Sequence, residues 1–289
     1  MLVNLLVGLF LLVPGDGDAD QFPLALHRSM ELDDLDREIA RIHDTVLLKN
    51  AQLLASKRLS QKGLYSRSDL EREIADAKYQ EALEAETISY RAIKAYERDV
   101  YGQAAVSDEK KGFSLVLDWV QKRAAMAQID LDFKTYQVKQ SRALHAKNAI
   151  SRQELDEAEL GYNASLAGLE LSKSREAQVL MELATRNGET VYDAETYHKL
   201  RGDYLRSRLR YFETNLEGAK RRLGLARERN KIKLVADSEL VLIEKAYDDM
   251  AANVAAEKKN LETHLAEKPV SPPKSRRTTP PARRGKVSS

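Results

Sequence analysis

Residues 59–71, LSQKGLYSRSDLE, return as residues 144–156, LHAKNAISRQELD. Both run Leu, six residues, Ser, Arg, one residue, an acid, Leu and a second acid, and they stand 85 residues apart. A further step of 85 reaches Leu240 in LVADSELVLIEKA, where Ala236 replaces the serine and Asp237 or Ser238 must act instead. Self-similarity at a fixed period marks a repeated structural unit. Within the second copy, Ser151 and Glu154 have the form of a capping box: serine accepts from the third amide while the glutamate reaches back to the serine amide. Ser66 with Asp69 makes a weaker version, and Ser68 with Glu71 competes with it in register. Acids in a first turn also suit the positive end of the helix dipole. Gly63 and Asn148 can take the left-handed conformation that closes a preceding helix. Each phrase therefore predicts a tight turn between two helices.

The segments between the phrases predict what is being joined. Leu32, Leu35, Ile39, Ile42 and Val46 alternate spacings of three and four, as do Met126, Ile129, Phe133 and Tyr136. Leu205, Leu209, Phe212, Leu216, Ala219, Leu223 and Ala226 keep the rhythm, and Leu240, Ile243, Tyr247, Met250 and Val254 repeat it. This spacing lays an apolar seam along one side of a helix, as in a coiled coil. The stretches near 66–101 and 151–187 are helical in composition but Ala-rich and less strictly phased. No proline occurs from Leu24 to Lys268, and interior proline is what a long helix cannot tolerate. The expectation is an all-α protein of long antiparallel coiled-coil hairpins. Six helices near 30–62, 66–101, 113–147, 151–186, 191–231 and 237–266 form three repeats of about 85 residues. The hairpin tips, near 63–66, 148–151 and 232–237, would share one end. Looser loops at 99–112 and 185–193 would form the other, with Thr190 and Asp193 as a further capping box. The pattern is compatible both with hairpins that bundle and with hairpins that stack.

The ends of the chain differ from this body. Residues 2–13 are a twelve-residue apolar run followed by PGDGDA. As a helix it would reach about 18 Å, against a bilayer core of about 30 Å. That length suits a signal-peptide core, with Gly17 and Ala19 before a cleavage site, although no Lys or Arg precedes the run. Residues 1–19 are accordingly expected to direct export, and 20–29 to form a linker. The other openings are a retained membrane-associated segment and a buried helix of a cytosolic protein. After Glu267 come seven basic residues and no acid, which leaves the body with 40 basic against 45 acidic residues. Residues 267–289 are too charged and proline-broken to fold alone. They read as a disordered basic tail, solubilising or bound to an anionic surface: lipid headgroups, cell-wall polymer or, least well supported without interleaved aromatics, nucleic acid.

Chemistry-bearing constellations are missing from the pattern. The histidines (His27, His43, His145, His198, His264) have no second ligand at helical spacing, and there is no Cys. Ser66 and Ser151 have no His within reach along the chain, and a capping serine spends its oxygen on backbone amides. No phosphate-cradling Gly loop or dinucleotide fingerprint occurs. Asn163 opens a glycosylation sequon that lies mid-helix. The chain is expected to be non-enzymatic and to need no cofactor or metal.

The second phrase in its setting, RALHAKNAISRQELDEAELGYNASLAGLELSKS, resembles the α-helical hairpin of HlyD-type membrane fusion proteins, the periplasmic adaptors of efflux and secretion systems. In that family a Leu before the turn and a Ser seven residues later, with an Arg four residues before the Leu, dock onto an outer-membrane channel. Leu144 and Ser151 match, as do Leu59 and Ser66; the arginine position holds Gln140 and Ala55, with Arg142 and Arg58 nearby in a different phase. Gly- and Val-rich strands like those of the family's lipoyl and β-barrel domains do not flank the hairpins. The resemblance implies a cell-envelope adaptor or spacer. Leu59, Ser66, Arg142, Leu144 and Ser151 would then meet a partner, either an outer-membrane channel or an inner-membrane transporter. Without that role, the same features describe a structural, self-associating coiled-coil scaffold.

Overall fold

The computed structural model describes residues 30–101, 108–187 and 193–269. The apolar run at 2–13, the linker, Thr190 and most of the basic tail lie outside them. Six helices follow in order: α1 (Leu32–Gln61), α2 (Arg67–Tyr101), α3 (Glu109–His145), α4 (Arg152–Asn187), α5 (Ala194–Lys231) and α6 (Asp237–Ala266). No strand occurs among the described residues.

Among the described residues each helix packs against its neighbours in sequence and no other pair meets, so the three hairpins stack in a row and do not close into a bundle. Cross-helix bonds show the antiparallel sense directly. Between α1 and α2, Arg91 bonds Asp36, His43 bonds Glu84 at 2.7 Å and Asn50 bonds Glu81 at 2.9 Å. Between α3 and α4, Gln121 reaches Glu176 at 3.1 Å and Arg142 reaches Glu159 at 3.0 Å. Between α5 and α6, Arg208 meets Glu257 at 2.8 Å and Arg227 meets Glu244 at 2.9 Å. At the start of α5 and the end of α6, His198 and His264 stack with centroids 4.0 Å apart. Each ring's Nε2 lies 2.9 Å from the other residue's carbonyl oxygen.

The repeat persists inside the core. Leu35, Val120 and Leu205, one per hairpin and 85 apart, are all buried, and so are Trp119 and Tyr204. Leu35, Tyr90, Ile93, Trp119, Val120 and Val179 form one cluster spanning the first two hairpins. Two smaller clusters, around Tyr204 and around Phe212 with Met250 and Val254, serve the third. Between the first two hairpins lies a polar contact: Trp119 Nε1 donates to Glu86 at 2.8 Å, and Arg123 pairs with the same oxygen at 3.4 Å. The matching register on the outer side of α1 carries Asp34, Arg37, Glu38 and Arg41, joined within the helix at 2.6 and 2.5 Å. On α6, Ala255, Ala256 and Lys259 are exposed where α4 and α2 hold Glu170, Glu86 and Ser89. At this register the outer side of α1 is polar, as in a terminal repeat, and that of α6 carries small residues and a lysine.

Two helix starts differ from expectation. Helix α3 begins at Glu109, ahead of the expected 113, because Asp108 accepts from the amides of Lys110 and Lys111 at 3.0 and 3.2 Å. Tyr96 holds that cap, its hydroxyl donating to the Asp108 carbonyl at 2.5 Å. Gly112 therefore sits inside the helix, where an added Cβ would come within 3.1 Å of the Tyr96 ring. Helix α5 begins at Ala194 and not at 191, with Asp193 as its N-cap accepting from Thr196 N at 2.6 Å. The seam of α3 also shifts: Met126, Ile129, Phe133 and Tyr136 are half-buried, while Val120, Ala124 and Val138 are buried.

Candidate docking tips

The opening phrase is built the same way at all three turns. Gly63, Asn148 and Lys233 have φ of +71°, +55° and +62°, and they are 85 residues apart. Leu64 N–H donates to Leu59 O, Ala149 N–H to Leu144 O and Leu234 N–H to Arg229 O, each at 2.9 Å. One residue earlier, Gly63, Asn148 and Lys233 donate to Ser60, His145 and Asn230 at 2.9, 2.8 and 2.9 Å. This pair of bonds around one left-handed residue is the Schellman closure of a helix. Leu59 and Leu144 accept the longer of the two bonds, at the position whose side chain ordinarily covers the residue just past the left-handed one.

The serines start the next helix. Ser151 N–H donates to Glu154 at 2.7 Å and Glu154 N–H to Ser151 Oγ at 3.2 Å, the complete reciprocal box. The bond from the Ser151 amide, with that from its hydroxyl, holds the Glu154 carboxyl below its ordinary range. Ser66 accepts from Asp69 N–H at 3.0 Å and settles the competition with Ser68, since α2 begins at Arg67. At the third turn Ala236 offers no side-chain cap, and Asn230 braces the turn instead, donating to the Val235 carbonyl at 3.0 Å and to Asp237 at 2.7 Å. Tyr65, Ile150 and Val235 precede the caps, with Leu70, Leu155 and Leu240 five residues on, which are the positions of a hydrophobic staple. The Tyr65 hydroxyl additionally donates to Glu73.

The residues singled out in the sequence are thus brought to one end, as two adjacent tips on neighbouring hairpins. Leu59 and Leu144 remain 40% and 43% exposed, and Ser66 and Ser151 are exposed with their oxygens engaged. Arg142 lies a turn behind its tip and is paired with Glu159; 85 residues on, Arg227 makes the same pair with Glu244. The sequence pattern missed the third left-handed residue, Lys233, although one more step of 85 from Asn148 lands on it.

Among the described residues no group of three or more His, Asp or Glu is placed to hold a metal, and no helix is long and apolar enough to cross a membrane. A cleft of about 650 Å³ between α4 and α5 is lined by opposed charges including Arg152, Asp156, Arg210 and Glu213. No family model, curated protein or solved structure matches the chain. The fold and its turns define a class: an all-α row of three antiparallel hairpins whose tips share one end.

Proposed function

We propose that the chain is a non-enzymatic component of a cell-envelope assembly, in which the hairpins act as a spacer and the first two tips dock onto a partner protein of a transport or secretion system. The observation that carries this reading is the common placement of the tips, each ending in exposed side chains around Leu59, Leu64 and Leu144. Helical tips side by side present several knobs at once to the ends of a partner's helices. The rest of the hairpin then sets the distance, since thirty-five helical residues extend about 52 Å.

A second reading, a homo-oligomeric scaffold, is favoured by a different observation. Leu47, Leu48 and Leu54 are exposed on α1, where α5 carries Glu217, Gly218 and Gly224 at the same register, so hairpin one offers an apolar face to a second copy. Photocrosslinking in the native cell separates the two. Probes replace Leu64 and Ala149, with exposed Ile88 in the middle of α2 as control. A discrete envelope-protein adduct from both tips and none from Ile88 supports docking. Self-adducts alone, or a protein confined to the cytosol, would sink it and leave the scaffold.

A further inference from the structure

The third tip departs from the other two in a way that folding does not require. Ile232, Leu234, Val241 and Leu242 are exposed at 66%, 72%, 61% and 68%. The same register holds Lys147, Ala149, Asp156 and Glu157 in the second hairpin, and Lys62, Leu64, Glu71 and Arg72 in the first. Charge at three of four positions has been exchanged for aliphatic surface. Val241 and Leu242 lie within about 8 Å of the start of α6 along its axis, so all four belong to one tip. Arg229, Lys231 and Lys233 stand exposed around them on the turn side, with Asp237 and Glu239 exposed in the first turn of α6.

This tip also leads the row. Helices α2 and α3 pair Ser89 with Asp118 and Glu86 with Trp119, a register that carries the second tip about 10 Å past the first. Helices α4 and α5 pair Glu170 with Arg210 and Leu160 with Gly218, which carries the third tip about 7 Å past the second. The most apolar tip is therefore the most advanced.

We propose that the third tip is a membrane-surface anchor: its aliphatic side chains enter the headgroup boundary of an anionic bilayer while Arg229, Lys231 and Lys233 face the lipid phosphates. A protein groove that receives a helix reads a stripe at spacings of three, four and seven. Val241 and Leu242 are adjacent and diverge by about 100° around their helix, and Ile232 and Leu234 lie on the turn itself. Such a convex, divergent cluster suits a fluid interface, where binding grows with buried apolar area and with attraction between basic side chains and anionic lipid. The inference is independent of whether the first two tips dock a protein.

The test uses the full chain carrying Ile232→Trp, with buried Trp119 as a constant background. Vesicles of mixed phosphatidylcholine and phosphatidylglycerol carry brominated acyl chains. The expected result is a blue shift and quenching of the new tryptophan, absent with phosphatidylcholine alone. Leu64→Trp at the trailing first tip should stay unquenched. The double variant Leu234→Ser with Leu242→Ser should lower vesicle partitioning by about tenfold at unchanged helix content, since apolar burial contributes to binding in proportion to area. Co-sedimentation with an unquenched Ile232→Trp would mean that the basic tail alone binds, and would overturn the proposal. Equal quenching at Leu64→Trp, or capture of a protein with no vesicle binding, would overturn it as well.

Discussion

Changing the left-handed residue of each tip in turn should give opposite signs at the first and third. An L-residue with a Cβ costs about 1–2 kcal/mol in this conformation, and glycine gives back about 0.5–1 kcal/mol through its looser unfolded chain. Lys233, at φ +62°, carries the first cost, so Lys233→Gly should stabilise by the difference, about 0.5–1 kcal/mol. Gly63→Ala should destabilise by a similar amount, about 1 kcal/mol, and the cause can only be the backbone, because a Cβ there meets nothing within 4 Å. Asn148→Gly should fall between, since Asn tolerates the left-handed region. In a chain this long each kcal/mol moves the midpoint by about 2–4 °C. Thermal and urea unfolding followed by circular dichroism reads the global effect, and amide exchange at residues 64, 149 and 234 reads it at the closing bonds. Destabilisation by Lys233→Gly, or indifference to Gly63→Ala, would refute a common left-handed closure at the three tips.

Ser151→Ala should cost about 1 kcal/mol near neutral pH. The variant keeps the Ser151 amide bond to Glu154 but loses the hydroxyl bond, which also helps to hold that carboxyl below its ordinary value; the lost bond contributes fully above the ordinary value and fades as pH falls through the depressed folded one, so the gap between wild type and variant should narrow in acid titrations of urea unfolding. Glu86→Ala should be the severest single change, about 3 kcal/mol, because it removes from a buried site the oxygen that accepts from the Trp119 N–H and pairs with Arg123, and Glu86→Gln should recover part of it. Trp119 fluorescence reports both variants. Arg142→Ala removes an exposed pair and should change stability by less than about 0.5 kcal/mol, so loss of a tip crosslink in that variant at full stability would identify Arg142 as a contact and not a support.

The turns were legible because they are written locally. A capping serine, an acid three residues on and a residue fit for positive φ all lie within one short phrase, and each engages its neighbours in the chain. The period of 85 then carried the pattern to the second hairpin in full and to the third in outline, where Ala236 replaces the serine and the left-handed Lys233 went unread. Helix α3 was harder at both levels. Its first turn contains Gly112, a residue that reads as a breaker, and only the Tyr96 ring from α2 explains why glycine is needed there. Its seam blurs because α3 packs between α2 and α4, and a helix covered on two sides buries residues outside a single stripe. The Glu86, Trp119 and Arg123 contact depends on the register between hairpins, which no local spacing encodes.

What repeats in this chain and what does not must be explained separately. The left-handed residue recurs at all three turns and the capping serine at the first two, where a helix has to close and another open, and their bonds account for them without a partner. Their recurrence is therefore weak support for docking on its own. The Arg142 and Arg227 pairs likewise recur as braces within a hairpin. Selection for folding alone would leave the three tips interchangeable, and in backbone they are. Their surfaces are not: the third exchanges charge for Ile232, Val241 and Leu242, and α1 alone exposes Leu47 and Leu54. Exposed aliphatic side chains contribute nothing to the hairpin that carries them, and they invite association. The differences between the repeats, more than the phrase they share, are where contact with something outside the chain should be sought.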